Sequence, residues 1–148
     1  MRIEVQEAPF DFAAEVARFE AGLAGMGAVV TFTGIVRDHA QGGLQVMEIE
    51  HYPGMTAQAI EKIAGEALAR WDLGDVLVIH RYGLLTPGER IMMVATAAPH
   101  RADAFAAADF LMDYLKSRAP FWKKEITERG ADWVAAKDAD EAALDRWT

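Results

Sequence analysis

Val76-Leu77-Val78-Ile79-His80-Arg81-Tyr82, then the turn Thr86-Pro87-Gly88-Glu89, then Arg90-Ile91-Met92-Met93-Val94-Ala95-Thr96-Ala97-Ala98 decide the fold class of this chain. Both flanks are apolar, β-branched runs of strand length, and the Pro-Gly pair between them is a turn signal. No helical stretch separates them. A doubly wound parallel sheet needs a long, usually helical crossover between neighbouring strands. Strand–turn–strand in sequence therefore predicts an α+β chain with a mostly antiparallel sheet and flanking helices.

Working outward, Ala28 to Arg37 reads as a strand buried on both faces, Leu44 to His51 as a second strand, and Ile3 to Gln6 as a short one. Phe12, Val16, Phe19 and Leu23 recur at helical spacing, and Gly25 and Gly27 end that helix. Met55 to Trp71 carries Ile60, Ile63, Ala64, Ala67 and Leu68 on one side of a helix. A further helix is expected from Arg101 to Ser117, with an apolar stripe of Phe105, Ala108, Leu111, Met112 and Leu115. Phe121 to Thr127 reads as extended, and Asp138 to Trp147 as a short acidic helix or arm. Asp38 to Gly43 is a polar loop. With no repeat and no linker, residues 1–148 form one domain.

Composition narrows the function. The 148 residues are 52% hydrophobic, enough for a proper core. A net charge of −8 argues against nonspecific nucleic-acid binding. The charge is uneven: His80 to Arg129 holds eight Lys/Arg against six Asp/Glu, and the remainder holds seven against seventeen. Basic residues gathered in one part of an acidic chain fit a local anion site. The apolar runs are too short to span a bilayer, and Met1-Arg2-Ile3-Glu4 does not read as a signal peptide, so a cytoplasmic location is expected. There is no cysteine, which excludes disulfides, thiolate metal sites and any sulfur relay through the chain's own thiols.

The chemistry concentrates in Met112-Asp113-Tyr114-Leu115-Lys116-Ser117-Arg118-Ala119-Pro120-Phe121-Trp122-Lys123-Lys124-Glu125. Lys116 and Lys123 lie on either side of a helix-breaking proline among Leu and aromatic residues. Low-dielectric surroundings penalise an ammonium and pull its pKa down. Such a pair suggests a pocket that binds an anion and moves protons. His100 and Arg101 fall at a strand-to-helix junction, where free N–H groups favour an anion; a plain surface pair is the alternative. Arg37 ends a strand containing Gly34 and is placed to clamp a carboxylate or phosphate. His80 reads either as a site residue or as a hydrogen-bonded core histidine. Asp109 and Asp113 have no third ligand at metal spacing, and Asp113 is expected to pair with Lys116 along the helix. Phe32, Tyr52, Met55 and Met112 read as core or pocket wall.

Taken in order, Gly27-Ala28-Val29-Val30-Thr31-Phe32-Thr33-Gly34, His51-Tyr52-Pro53-Gly54-Met55, Val78-Ile79-His80-Arg81, His100-Arg101 and Met112 through Glu125 resemble the large, catalytic subunits of molybdopterin synthase. The resemblance is clearest from Gly27 to Trp133. It implies an α/β hammerhead fold and an enzyme that converts cyclic pyranopterin monophosphate into molybdopterin by installing two sulfurs. It implies that sulfur arrives as a thiocarboxylate on the Gly-Gly tail of a small ubiquitin-like sulfur-carrier subunit, within a heterotetramer built on a central homodimer. No cofactor or metal of the chain's own is implied, and neither a nucleic-acid nor a membrane partner. By the same resemblance Lys116 and Lys123 are the catalytic lysines. Arg37, His100 and Arg101 are pocket residues, with Phe32 and Met112 beside them. Lys137 stands where the resemblance implies an arginine; it keeps the charge but loses the bidentate fork.

Two other classes remain open from the residues alone. A noncatalytic phosphate- or pterin-binding module would tolerate loss of Lys116 with weakened affinity, whereas an enzyme would lose turnover. A standalone phosphate-ester hydrolase lacks an evident nucleophile or metal site.

Overall fold

A computed structural model describes residues 1–148. In chain order the elements are β1 (Arg2–Gln6), α1 (Phe12–Ala21), β2 (Ala28–Ile35), β3 (Val46–His51), α2 (Met55–Arg70), β4 (Asp75–Arg81), β5 (Gly83–Leu85), β6 (Arg90–Ala98), α3 (Arg101–Arg118), β7 (Phe121–Thr127), β8 (Gly130–Trp133) and α4 (Asp138–Ala142), followed by a 3₁₀ segment, Ala143–Trp147. They form two four-stranded sheets, ordered β1-β4-β6-β2 and β5-β3-β7-β8. Every pairing is antiparallel except β1 with β4. The expected α+β class with a mostly antiparallel sheet is what forms.

The two apolar runs on either side of Thr86-Pro87-Gly88-Glu89 become the central strands β4 and β6, with Val78 opposite Val94. Both are covered on both faces, which is why they are apolar continuously rather than alternately. On one face Val76, Val78, Met92 and Val94 pack against Ile60 and Ile63 of α2 and Phe110 and Leu111 of α3. On the other, Leu77, Ile79, Met93, Ala95 and Ala97 pack against Phe19 of α1. Removing a side chain such as Phe110 wholly from water contributes roughly 1.5–3 kcal/mol.

The structure corrects several expectations. β2 ends at Ile35 and is an edge strand, not one buried on both faces: it pairs only with β6, and Phe32 and Ile35 are 42% and 54% exposed. An apolar, β-branched composition reports strand propensity but not position in the sheet. Phe105, expected in the apolar stripe of α3, is 62% exposed, while Ala104, Ala107 and Ala108 make the close approach to the sheet. The connection from β4 to β6 is more than a turn, because β5 leaves to pair with β3 in the second sheet. β8 also escapes the sequence reading; it is a short, exposed strand on β7. Asp109 and Asp113 do not pair with Lys116. Arg146, from the folded-back tail, donates to Asp109 at 2.9 Å and to Asp113 at 2.6 Å. The Trp147 indole N–H also donates to Asp113 at 2.6 Å, and its ring stands edge-on to Phe110 and Trp71. The tail is thereby strapped across α3. No helix is long and apolar enough to cross a membrane.

Candidate active site

Lys123 is the centre of the basic cluster. β7 places it on the face shared by Phe121 and Glu125, opposite Ile49 of β3, while Trp122 points to the other, exposed face. The strand begins directly after Pro120, so the residues that end α3 and those that open β7 stay close. Lys116 lies in the last turn of α3, where cations favour the negative end of the helix. Lys137 caps α4, and the strapped tail brings Asp140 along with it. Burial is the main influence pushing the Lys123 ammonium pKa down, and the charge of Lys116 adds to it. Asp140 opposes the shift and Lys137 reinforces it. Lys116 and Lys137 therefore both act on Lys123. None of them forms an ion pair, nor does Arg37, in a chain of net charge −8.

Beneath Lys123 lies an aromatic stack. His80 is buried and stacks on Phe121 with ring centroids 3.7 Å apart and planes 17° from parallel. Its Nδ1–H donates to the carbonyl of Arg81 at 2.8 Å. Burial, with smaller contributions from Lys123 and His51, lowers its pKa to about 3 despite that bond, so the ring is neutral at physiological pH. His51 sits opposite Phe121 in the strand register and packs on Tyr82 at 4.3 Å. The core-histidine reading of His80 thus holds, and the residue supports the site from below.

Arg37 follows β2 at the same end of the fold. Its neighbour Val36 is pinned by Val36 N–H to Glu89 O at 2.9 Å and Gly88 N–H to Val36 O at 2.8 Å. Asp38 closes the following loop by accepting from the amides of His39 and Leu44 at 2.7 and 3.0 Å. Gly42 and Gly43 supply the positive φ values of 78° and 99° that this closure requires. His39 then pairs with Glu125, two residues along β7 from Lys123. The loop is a tethered one, and nothing local in the sequence signals that tether.

His100 and Arg101 are elsewhere. β2 pairs with β6 so that Ala28 faces Ala98 and Ile35 faces Arg90. The junction carrying His100 is therefore at one end of the sheet and Arg37 at the other, about 24 Å apart along the strand. The close turn into His100 depends on Gly27, where a Cβ would lie 2.5 Å from the carbonyl oxygen of Pro99. His100 is the N-cap residue of α3 but its side chain makes no capping bond, and Arg101 is exposed. Within one chain, the lysines and Arg37 share one end, and His100 and Arg101 occupy the other. Phe32 lies exposed on the β2 edge, and Met112 is half-buried against the core. A concavity of about 440 Å³ lies between α3 and the tail, bordered by Tyr114, Arg118 and Glu141, but none of the three lysines lines it.

The chain matches the family described as MoaE protein over residues 5–118. It is 70% identical over 147 residues to the molybdopterin synthase catalytic subunit of Cereibacter sphaeroides, covering 99% of this chain and 100% of that one. Among solved structures it resembles the molybdopterin biosynthesis MoaE protein of Burkholderia ambifaria, at 52% identity and TM-score 0.85 over 99% of this chain and 97% of that one. It also resembles molybdopterin synthase of Staphylococcus aureus, at 31% identity and TM-score 0.81 over 89% and 96%. On these matches and this fold, the chain belongs to the MoaE family.

Proposed function

We propose that the chain is the catalytic subunit of a molybdopterin synthase, a cytoplasmic sulfurtransferase that converts cyclic pyranopterin monophosphate into molybdopterin. The sulfur donor in this reading is the thiocarboxylated Gly-Gly tail of a small ubiquitin-like sulfur-carrier subunit. The observation that carries it is the meeting of Lys116, Lys123 and Lys137, without ion-pair partners, in a chain with no thiol of its own. An anionic thiocarboxylate is attracted by such a cluster, and burial makes the Lys123 ammonium the one among them that gives up its proton more readily than a free lysine. Lys116 is assigned general acid–base work or transient covalent contact with the thiocarboxylate carbonyl, and Lys123 the role of second catalytic lysine. Lys137 contributes charge without the geometry of an arginine fork.

The same reading places the substrate phosphate against Arg37, His100 and Arg101, with Phe32 and Met112 as apolar neighbours, and it needs two copies of the chain. The exposed edge of β2 supports an edge-to-edge antiparallel pairing about a two-fold axis. Such pairing reverses one β2 against the other. It sets the partner subunit's His100 and the partner subunit's Arg101 beside Arg37 and the end of α3, and the 24 Å gap within one chain closes. A heterotetramer then follows from one small carrier subunit on each half of the dimer. The test is reconstitution: purified chain, thiocarboxylated carrier and cyclic pterin should give molybdopterin. Conversion by this chain with free sulfide and no carrier would overturn the mechanism.

A further inference from the structure

His39 and Glu125 are bonded to one another, yet neither has a part in the chemistry assigned so far. Glu125 shares a face of β7 with Lys123, because successive strand side chains alternate. Two residues along a strand set their Cβ atoms about 6.6 Å apart, well within the combined reach of a lysine and a glutamate. Lys124, between them, points to the opposite face, where its ammonium lies 4.6 Å from the centre of the Trp133 ring. Across the ladder Glu125 faces Met47 on β3 and Asp132 on β8. A carboxylate directly opposite is unfavourable, so Glu125 gains from any cation it meets. Lys123 is the nearest one on its own face of the strand.

That pair does not form. Lys123 has no carboxylate within ion-pair distance, and the charges acting on it are those of Lys116, Asp140 and Lys137, not that of Glu125. Glu125 Oε2 instead accepts from His39 Nε2–H. A closed loop holds the imidazole there. Asp38 accepts the His39 and Leu44 amides, Gly42 N–H donates to His39 O at 2.8 Å, and Gln45 N–H donates to Ile126 O, beside Glu125, at 2.9 Å. A strand register that sets a glutamate beside Lys123 is thus answered by a histidine from another segment.

We propose that His39 is a positioning residue: by holding Glu125 it keeps that carboxylate off Lys123 and leaves the Lys123 side chain open to the incoming anion. The inference rests on the catalytic reading of Lys123. Lys123 is half-buried, where an ion pair is screened less than at the surface. A Glu125 released from His39 would compete with the thiocarboxylate for the ammonium, and would favour the charged form over the free amine. Arg37, two residues before His39 and also without an ion pair, is the other cation open to a freed Glu125. The two destinations have different consequences for Lys123, and experiment separates them.

His39→Ala should fold, since the imidazole is nearly half exposed. In the reconstituted complex its kcat should fall about tenfold, the effect of one opposite charge brought up to a titrating lysine. Adding Glu125→Gln should restore kcat to within about twofold of the parent, because the neutral amide has no charge to set against Lys123. A histidine that merely tethers its loop gives the opposite result: the double variant stays as slow as His39→Ala, which overturns the proposal. Unchanged kcat in His39→Ala overturns it as well. If Lys123→Ala itself turns over normally, the catalytic reading fails instead, so the two failures are distinguishable. NMR titration of isotope-labelled lysine in the folded chain, with Lys123 assigned through Lys123→Arg, needs no activity. The Lys123 pKa should rise in His39→Ala and return in the double variant. A Lys123 that titrates alike in parent, single and double variants sends the freed carboxylate elsewhere, to Arg37 or to solvent, and overturns the assignment.

Discussion

Replacing His80 by phenylalanine should remove an acid-sensitive component of stability, and its size follows from the burial of that ring. In the fold His80 titrates at about 3 rather than at its ordinary 6.5. The unfolded chain therefore binds one proton more than the native one between those two values. Stability is complete above about pH 6.5 and falls as the pH drops, at up to about 1.4 kcal/mol per pH unit. By pH 5 the loss amounts to about 2 kcal/mol. Phe keeps the stack on Phe121 but leaves the Arg81 carbonyl without its donor, a cost of about 1 kcal/mol at every pH. The variant should accordingly be the less stable protein at pH 7 and gain about 2 kcal/mol on the parent by pH 5. Urea unfolding at fixed protein concentration, at pH 7, 6 and 5, measures both quantities. Parallel stability curves would mean that His80 takes its proton inside the fold near 6.5, and the neutral plate beneath Lys123 would have to be abandoned.

Lys116→Ala should fold normally and bind the carrier while turnover drops about 10²–10⁴-fold; unchanged turnover removes the assigned role. Arg101→Ala should raise the KM for the pterin with little effect on melting temperature, because the side chain is exposed. Ile35→Asp on the open β2 edge should convert a dimer into monomers in analytical ultracentrifugation and abolish activity with it, since a like-charged pair cannot be buried across a two-fold interface. Mixing Lys116→Ala with Arg101→Ala and allowing subunits to exchange should restore about a quarter of the sites, because only mixed dimers assemble one intact site. No recovery would place all these residues in one chain's site.

What the sequence made legible is what short-range physics decides. β4 and β6 are continuous apolar runs because helices cover both of their faces, and the Pro-Gly turn between them reveals their antiparallel sense. Edge strands were harder. β2 has the composition of a central strand, and its place at the sheet edge, with Phe32 and Ile35 exposed, is set by tertiary pairing that composition does not report. β5 and β8 are three and four residues long, too short for a periodicity, and exist because β3 and β7 offer them an edge. The tail was harder still. Arg146 finds Asp109 and Asp113 across a separation of 37 and 33 residues, whereas the nearer cation Lys116 was the local expectation.

The site divides along the same line. Lys116 and Lys123 could be paired on paper because a proline ends the helix between them and the strand starts at once. Asp140 and the tether from His39 to Glu125 could not, as each joins segments with no shared pattern. For His100 and Arg101 the sequence held a constraint that a list of pocket residues passes over. An α-helix rises about 1.5 Å per residue, so the stretch from Arg101 to Lys116 fixes their backbones about 22 Å apart whatever the rest of the fold does. A small pterin phosphate does not bridge that distance. Either one of the two groups is not part of the site, or each site draws them from different chains. The unpaired apolar edge of β2, antiparallel to its own image about a two-fold axis, is the feature of this fold that favours the second.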